Sequence, residues 1–170
     1  DVQDEPAAHL LPERDKILGQ IKSMARDRGR ADSILVAFAG HGVQFKEDKD
    51  GYFCPLDAAG GRNDTLVSLG TIYRLLDDCD AGFKVVLCDA CRDDPLTGNS
   101  RGLSMINTQP QKLAPPPGGV AVFYSCSPGE FAYEDADLKH GVFFNFVIDG
   151  LKGKADLDDD GKVTLPELEY

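Results

Sequence analysis

Three continuous apolar runs punctuate the chain: SILVAFA at 33–39, FKVVLCDA at 83–90 and VAVFYSC at 120–126. Each is short and rich in β-branched or aromatic residues, without the period-2 alternation of a half-exposed strand. That pattern predicts strands buried on both faces. Between and around them the period changes to that of helices. PERDKILGQIKSMARDR (12–28) places Ile17, Ile21 and Met24 on one helical face with charge opposite, and Gly29 is positioned to stop it. SLGTIYRLLDDCD (68–80) gathers Leu69, Ile72, Leu75 and Leu76 on one face, with Ser68 as N-cap. GVFFNFVIDGLKG (141–153) predicts a third helix. KEDKDG (46–51) reads as a turn, followed by a short hairpin arm at YFC. The Asp-, Asn-, Gly-, Gln- and Pro-rich stretch 92–119, ending APPPGG, reads as a long exposed loop. Strands alternating with helices predict an α/β fold with a mostly parallel central sheet covered on both faces.

Parallel sheets of this kind collect functional groups at the carboxyl ends of their strands. His41, in FAGHG, leaves the first apolar run, Cys91, in DACRDDP, leaves the second, and Ser125 ends the third. Parallel, neighbouring strands would put all three on one rim. A cysteine nucleophile needs an imidazole to take its proton, and backbone N–H groups aimed at the developing oxyanion. Glycines beside His41 allow close approach of a substrate carbonyl. A structural histidine at a strand end and a small core cysteine are the plainer alternative for each residue alone; the pair at two strand exits is more specific. Cys88, inside the apolar run, is expected to be inert. His140 precedes a helix and His9 lies in a polar start, so both rank below His41.

Charge and cysteine content narrow the field. The 170 residues carry a formal net charge of −11 and no basic stripe, which argues against a nucleic-acid partner. No run of apolar residues reaches membrane-spanning length, so no membrane partner is expected. The five cysteines are an odd number, which favours reduced thiols and a reducing compartment over a disulfide framework. The Cys-x-x-Cys of Cys88 and Cys91 lacks a second ligand pair at zinc spacing.

FAGHG and DACRDDP, with 50 positions between His41 and Cys91, resemble the caspase-type cysteine peptidases. Asp-Ala-Cys is closer to metacaspases, paracaspases and bacterial orthocaspases than to caspases proper. VFYSCSPGEFAYE and HGVFFNFVIDGL resemble the small-subunit region of that group, so the resemblance runs over about residues 33–151. It implies a caspase-like domain over 1–153, with Cys91 as nucleophile, His41 as general acid/base, and the N–H groups of Gly42 and Cys91 as oxyanion hole. No cofactor is implied for catalysis. The family fold normally begins with one more strand and helix, so the resemblance also implies that residues outside this chain complete the sheet.

Asp89 stands two residues before Cys91, on the same side of the strand. A carboxylate there can pair with a guanidinium, which predicts cleavage after Arg, then Lys. In the resembling peptidases a second acid after the third strand shares this role; Glu134 fits that spacing better than Glu130, and Ser125 stands nearby. Arg101 and Lys112 in the long loop offer sites for self-processing.

DLDDDGKVTLPE at 156–167 matches the twelve-residue calcium loop of an EF-hand: Asp156, Asp158 and Asp160 at odd positions, Gly161 sixth, the Lys162 carbonyl seventh, Thr164 ninth and Glu167 twelfth. A calcium ion held by residues 154–170 is the expectation; an acidic turn without an ion is the plainer alternative. For the whole chain, the rivals to a peptidase with a peptide substrate are a catalytically silent caspase-like module that binds calcium or a partner protein, and a calcium-binding structural domain whose His and Cys coincide by chance. Oligomeric state is left open.

Overall fold

The structure is a computed structural model that describes residues 11–45, 48–60, 62–90, 112–125 and 141–170. It divides into two compact units, residues 1–131 and 132–170. In the first, α1 (Arg14–Ala25) leads to β1 (Ser33–Gly40), a small hairpin of β2 (Gly42–Val43) and β3 (Tyr52–Phe53), then β4 (Val67–Ser68), α2 (Leu69–Asp77), β5 (Phe83–Ala90) and β6 (Val120–Tyr124). β1, β5 and β6 form one parallel sheet in that order, and β2, β3 and β4 form a separate antiparallel sheet. The α/β class with a parallel central sheet is the one the apolar runs predict.

The register of β1 on β5 is constant, from Ser33 opposite Phe83 to Gly40 opposite Ala90. One face of the sheet therefore carries Ile34, Val36 and Phe38 beside Val86, Cys88 and Ala90. Ile21 of α1 and Ile72 and Leu76 of α2 join this face in a single core cluster. Ile72, Leu76, Val67 and Val86 are fully buried, each contributing about 1.5–3 kcal/mol of hydrophobic stabilisation. Lys84 sits on the same face without breaking the core. Its Nζ donates to the carbonyls of Leu76 (2.9 Å) and Cys79 (2.7 Å), satisfying acceptors that the end of α2 leaves orphaned.

The two long strands differ in burial. β5 is buried at every position after Phe83, as its apolar run predicts. β1 is not buried on both faces: Ile34 and Val36 are buried, while Ser33, Leu35, Ala37 and Ala39 are exposed, Leu35 by 51%. In the described sheet β1 has one neighbour and the two helices lie on one face only. The side chains that point away from those helices explain the difference, since two of them are alanines and one is a serine. The expectation for Met24 also fails: it is 40% exposed, and Ile21 is the buried residue of α1. The helix stops at Ala25, and Asp27 (φ 56°), not Gly29, takes the left-handed turn. α2 begins as expected, with the Ser68 hydroxyl accepting from the Thr71 N–H.

Gly82, at the entry to β5, is required sterically. A Cβ there would lie 2.1 Å from the Arg30 carbonyl oxygen, and the Gly82 N–H donates to the Asp32 carbonyl. Backbone cannot yield as a side chain can, so Gly82→Ala is expected to cost at least about 1–3 kcal/mol and to lower Tm in a thermal melt. An unchanged Tm would contradict the close approach.

In the second unit, α3 (Val142–Asp149) runs into a wider turn at Gly150–Lys154, then a loop and α4 (Leu165–Glu169). α4 starts with a capping box: the Thr164 N–H and hydroxyl both donate to the Glu167 carboxylate. No helix among the described residues is long and apolar enough to cross a membrane.

Candidate active site

The rim beyond the carboxyl ends of β1 and β5 is built by three local features. The first is the exit of β1. Gly40 has φ 149°, a conformation L side chains rarely adopt, and this lets the chain leave the sheet immediately before His41. His41 is exposed, and its side chain has no hydrogen-bond partner among the described residues. Its backbone is fixed, because its carbonyl accepts from the Cys54 N–H at 2.9 Å. Below it, Phe38 of β1 stacks on Phe53 of β3, with centroids 4.2 Å apart and planes 14° apart, so the hairpin is locked onto the strand.

The second feature is the hairpin ladder. Gly42 lies opposite Phe53, and the Cys54-to-His41 bond flanks that pair. In an antiparallel ladder this marks a non-hydrogen-bonded pair, whose N–H and C=O groups point away from the partner strand. The N–H of Gly42 is therefore directed away from β3. The hairpin is braced further back: the Asp50 carboxylate accepts from the Ser68 hydroxyl and the Gly70 N–H, tying β3 to the start of α2. Tyr52 donates to Asp48; burial first, and this carboxylate second, hold the phenol well above its ordinary range. The sequence patterns missed this brace, because its acids lie in what reads as a solvated turn.

The third feature is the end of β5. Its last paired residue, Ala90, lies opposite Gly40. These two residues directly precede Cys91 and His41, so the 50-position spacing of the candidate pair equals the register offset of the two strands. Neighbouring strands lie about 4.8 Å apart. Cys91 itself is outside the described residues, as are Glu130, Glu134, Arg101, His9 and His140. Asp89 is described and is only 8% exposed. Its carboxylate makes no hydrogen bond or ion pair with a described residue. Ser125 follows β6 and donates its N–H to the Cys88 carbonyl at 2.9 Å, which sets it beside Asp89. Strand alternation turns Asp89 and Ser125 to the same face. The Ser125 hydroxyl is buried and lacks a partner among the described residues. Among the described residues, then, the Ser125 hydroxyl lacks the partner that a buried polar group normally has, and the Asp89 carboxylate shares its face.

On the opposite face, Cys88, Ala90 and Tyr124 line a small apolar cleft with Phe53 and Leu69. The Tyr124 and Tyr73 hydroxyls share a hydrogen bond of 2.7 Å at its edge, and burial raises the Tyr73 phenol above its ordinary range. Cys54, Cys79 and Cys88 form no disulfide; burial raises the Cys54 thiol, which makes it a poorer nucleophile at neutral pH.

In the second unit, carboxylate oxygens of Asp156, Asp158 and Glu167 lie within 4.8 Å of one another. Asp156 accepts from the N–H groups of Asp160 and Gly161, and the left-handed Asp159 and Gly161 wrap the loop around it. Hydrogen bonds from Thr164, backbone first, hold the Glu167 carboxyl below its ordinary range. The three clustered oxygens suit a hard cation. Asp160 is not brought into that group; its carboxylate accepts from the Lys162 N–H.

The family model described as the caspase domain matches residues 5–165. A protein described as a probable protease, from a Desulfuromonadales bacterium, is 25% identical over 152 residues, 86% of this chain. The chain spans only 18% of that relative's length. The crystal structure of a Geobacter sulfurreducens protein superposes with a TM-score of 0.56 at 18% identity, over 83% of this chain and 62% of that one, a likeness of fold alone. With the caspase domain matched over nearly its whole length, a parallel β1–β5–β6 sheet and a His-Gly at the exit of β1, this chain belongs to the caspase domain family.

Proposed function

We propose that the chain is a cysteine endopeptidase that cuts after Arg, and more slowly after Lys. The observation that carries this reading is the register: Gly40 opposite Ala90 brings the residues that precede His41 and Cys91 side by side on neighbouring parallel strands. Cys91 Sγ attacks the scissile carbonyl carbon while His41 takes the thiol proton. The N–H groups of Gly42 and Cys91 receive the oxyanion, and the outward direction of the Gly42 N–H supports the first of these. The intermediate collapses to a thioester, and the leaving amine takes the proton from His41. Water, deprotonated by His41, then attacks the thioester; the acid departs and the thiol is restored.

Specificity rests on Asp89. A buried carboxylate that pairs with no cation among the described residues favours a cationic side chain that would complete it, and the planar guanidinium does so in two parallel hydrogen bonds. The adjacent Ser125 hydroxyl offers an acceptor for a remaining N–H. Glu134, or Glu130, is the second acid of the pocket. The test is a panel of fluorogenic peptides that differ only before the cleaved bond. Turnover is expected in the order Arg, Lys, with Asp at background. Preferred cleavage after Asp would end this reading.

The calcium loop is a second proposal, in the other unit. Asp156, Asp158 and Glu167, with the Lys162 carbonyl and Asp160, would hold one calcium ion; motif and oxygen cluster support it. Calorimetric titration with calcium is expected to show one site, lost in Glu167→Gln. No heat of binding at millimolar calcium would leave the loop a simple acidic turn. The inactive, partner-binding alternative is separated by the same peptide panel.

A further inference from the structure

The segment that leads into β6 is held down before the strand begins. The Ala114 N–H donates to the Lys49 carbonyl at 2.8 Å, beside the β2–β3 turn. Leu113 is half-buried and packs on the core. It seats in the apolar cleft, where the missing side chain of Gly51 makes room: a Cβ at Gly51 would lie 3.5 Å from Leu113 Cδ2 and 2.9 Å from Leu69 Cδ1. Pro115, Pro116 and Pro117 follow, each with its φ fixed by its ring. The Val120 N–H then donates to the Pro117 carbonyl, and β6 pairs with β5. The segment is thus tied at both ends with a stiff span between them.

We propose that residues 112–117 form a fixed strap that protects the Lys112–Leu113 bond, so that processing after a basic residue in the loop stops short of Lys112. The Lys112 side chain is exposed, but exposure is not enough. A peptidase needs several residues on both sides of the bond in an extended, accessible form, and native proteolysis tracks the opening of that stretch. The residues just past this bond are a half-buried leucine packed on the core and a hydrogen-bonded alanine, followed by three prolines. The strap also closes one wall of the cleft behind Cys88 and Ala90, so it would stay on the domain after a cut upstream. This inference rests on the proposed peptidase reading only for the identity of the protease that makes the cut.

The test therefore uses trypsin, which cuts after Lys and Arg, on the native Cys91→Ala chain, where no self-processing can interfere. Cleavage at each site is read by intact mass and normalised to the same bond in a short synthetic peptide. Products beginning at Leu113 are expected to form at least tenfold more slowly than from the peptide. Leu113→Ser is expected to raise that rate tenfold or more, and Leu113→Met to leave it low. Rapid cutting at Lys112 in the parent chain, or no increase in Leu113→Ser, overturns the proposal. Should Leu113→Ser fail to fold, hydrogen exchange at the Ala114 amide of the Cys91→Ala chain decides: protection supports the strap and free exchange overturns it. Failure of the peptidase reading would appear instead in the peptide panel, to which this test is blind.

Discussion

Cys91→Ala and His41→Ala are each expected to lower kcat/KM on an Arg-terminated fluorogenic peptide by about 10⁴-fold or more, with little change in Tm. Nucleophile and base act as a unit, so losing either one removes most of the covalent pathway. His41 is exposed and its imidazole makes no hydrogen bond to a described residue, so truncating it disturbs no packing, and surface changes of that kind stay within about 0.5 kcal/mol. An activity loss with an intact melt is the signature of chemistry. The double substitution should be no worse than the single ones, because neither group works without the other. If His41→Ala retained most of the parent activity, the base would lie elsewhere, and His140 would be the next histidine to test.

The second large effect is expected at Asp89. Asp89→Asn keeps the volume and removes the charge. With an arginine peptide, truncating one partner of a buried charge pair costs about 2–5 kcal/mol, which is roughly 30- to 5,000-fold in kcat/KM. The loss should be concentrated on basic peptides, so the ratio of Arg to Gln turnover should collapse. A uniform loss across the panel would instead mark Asp89 as a structural acid. The same substitution should not destabilise the fold, since the carboxylate makes no ion pair with a described residue, and a buried charge costs more to desolvate than a neutral amide. Opposite signs for activity and stability at one residue would distinguish a specificity group from a core polar group.

Reading both effects from the sequence depended on unequal signals. FAGHG and DACRDDP carried the candidate pair, because a histidine and a cysteine at the exits of two apolar runs are unusual in combination. The α2 boundary was legible down to its cap, since Ser68 and the Leu69–Leu76 stripe obey local rules that tertiary contacts reinforce. The burial of β1 was not legible. Its run is apolar from Ile34 to Ala39, and only the placement of α1 and α2 on one face makes Leu35 an outside residue. The Asp48–Tyr52 and Asp50–Ser68 links were hidden for a related reason. Charged residues in a turn look solvated until a second element is folded against them.

The loop at 92–119 shows the same division. Its composition reads as exposed throughout, yet Leu113 finds a seat that Gly51 and Leu69 create from far along the chain. Sequence by itself determined the class of fold, the candidate Cys–His pair, the acid beside it and the calcium-loop motif, because each is encoded in short-range pattern and spacing. Tertiary structure alone decided which face of β1 is covered, where the loop is tied down, that Asp89 and Ser125 stand on one face at neighbouring strand positions, and that the 50-position spacing is a strand register. Those are properties of contacts between residues distant in the chain, and no local period records which distant group will arrive.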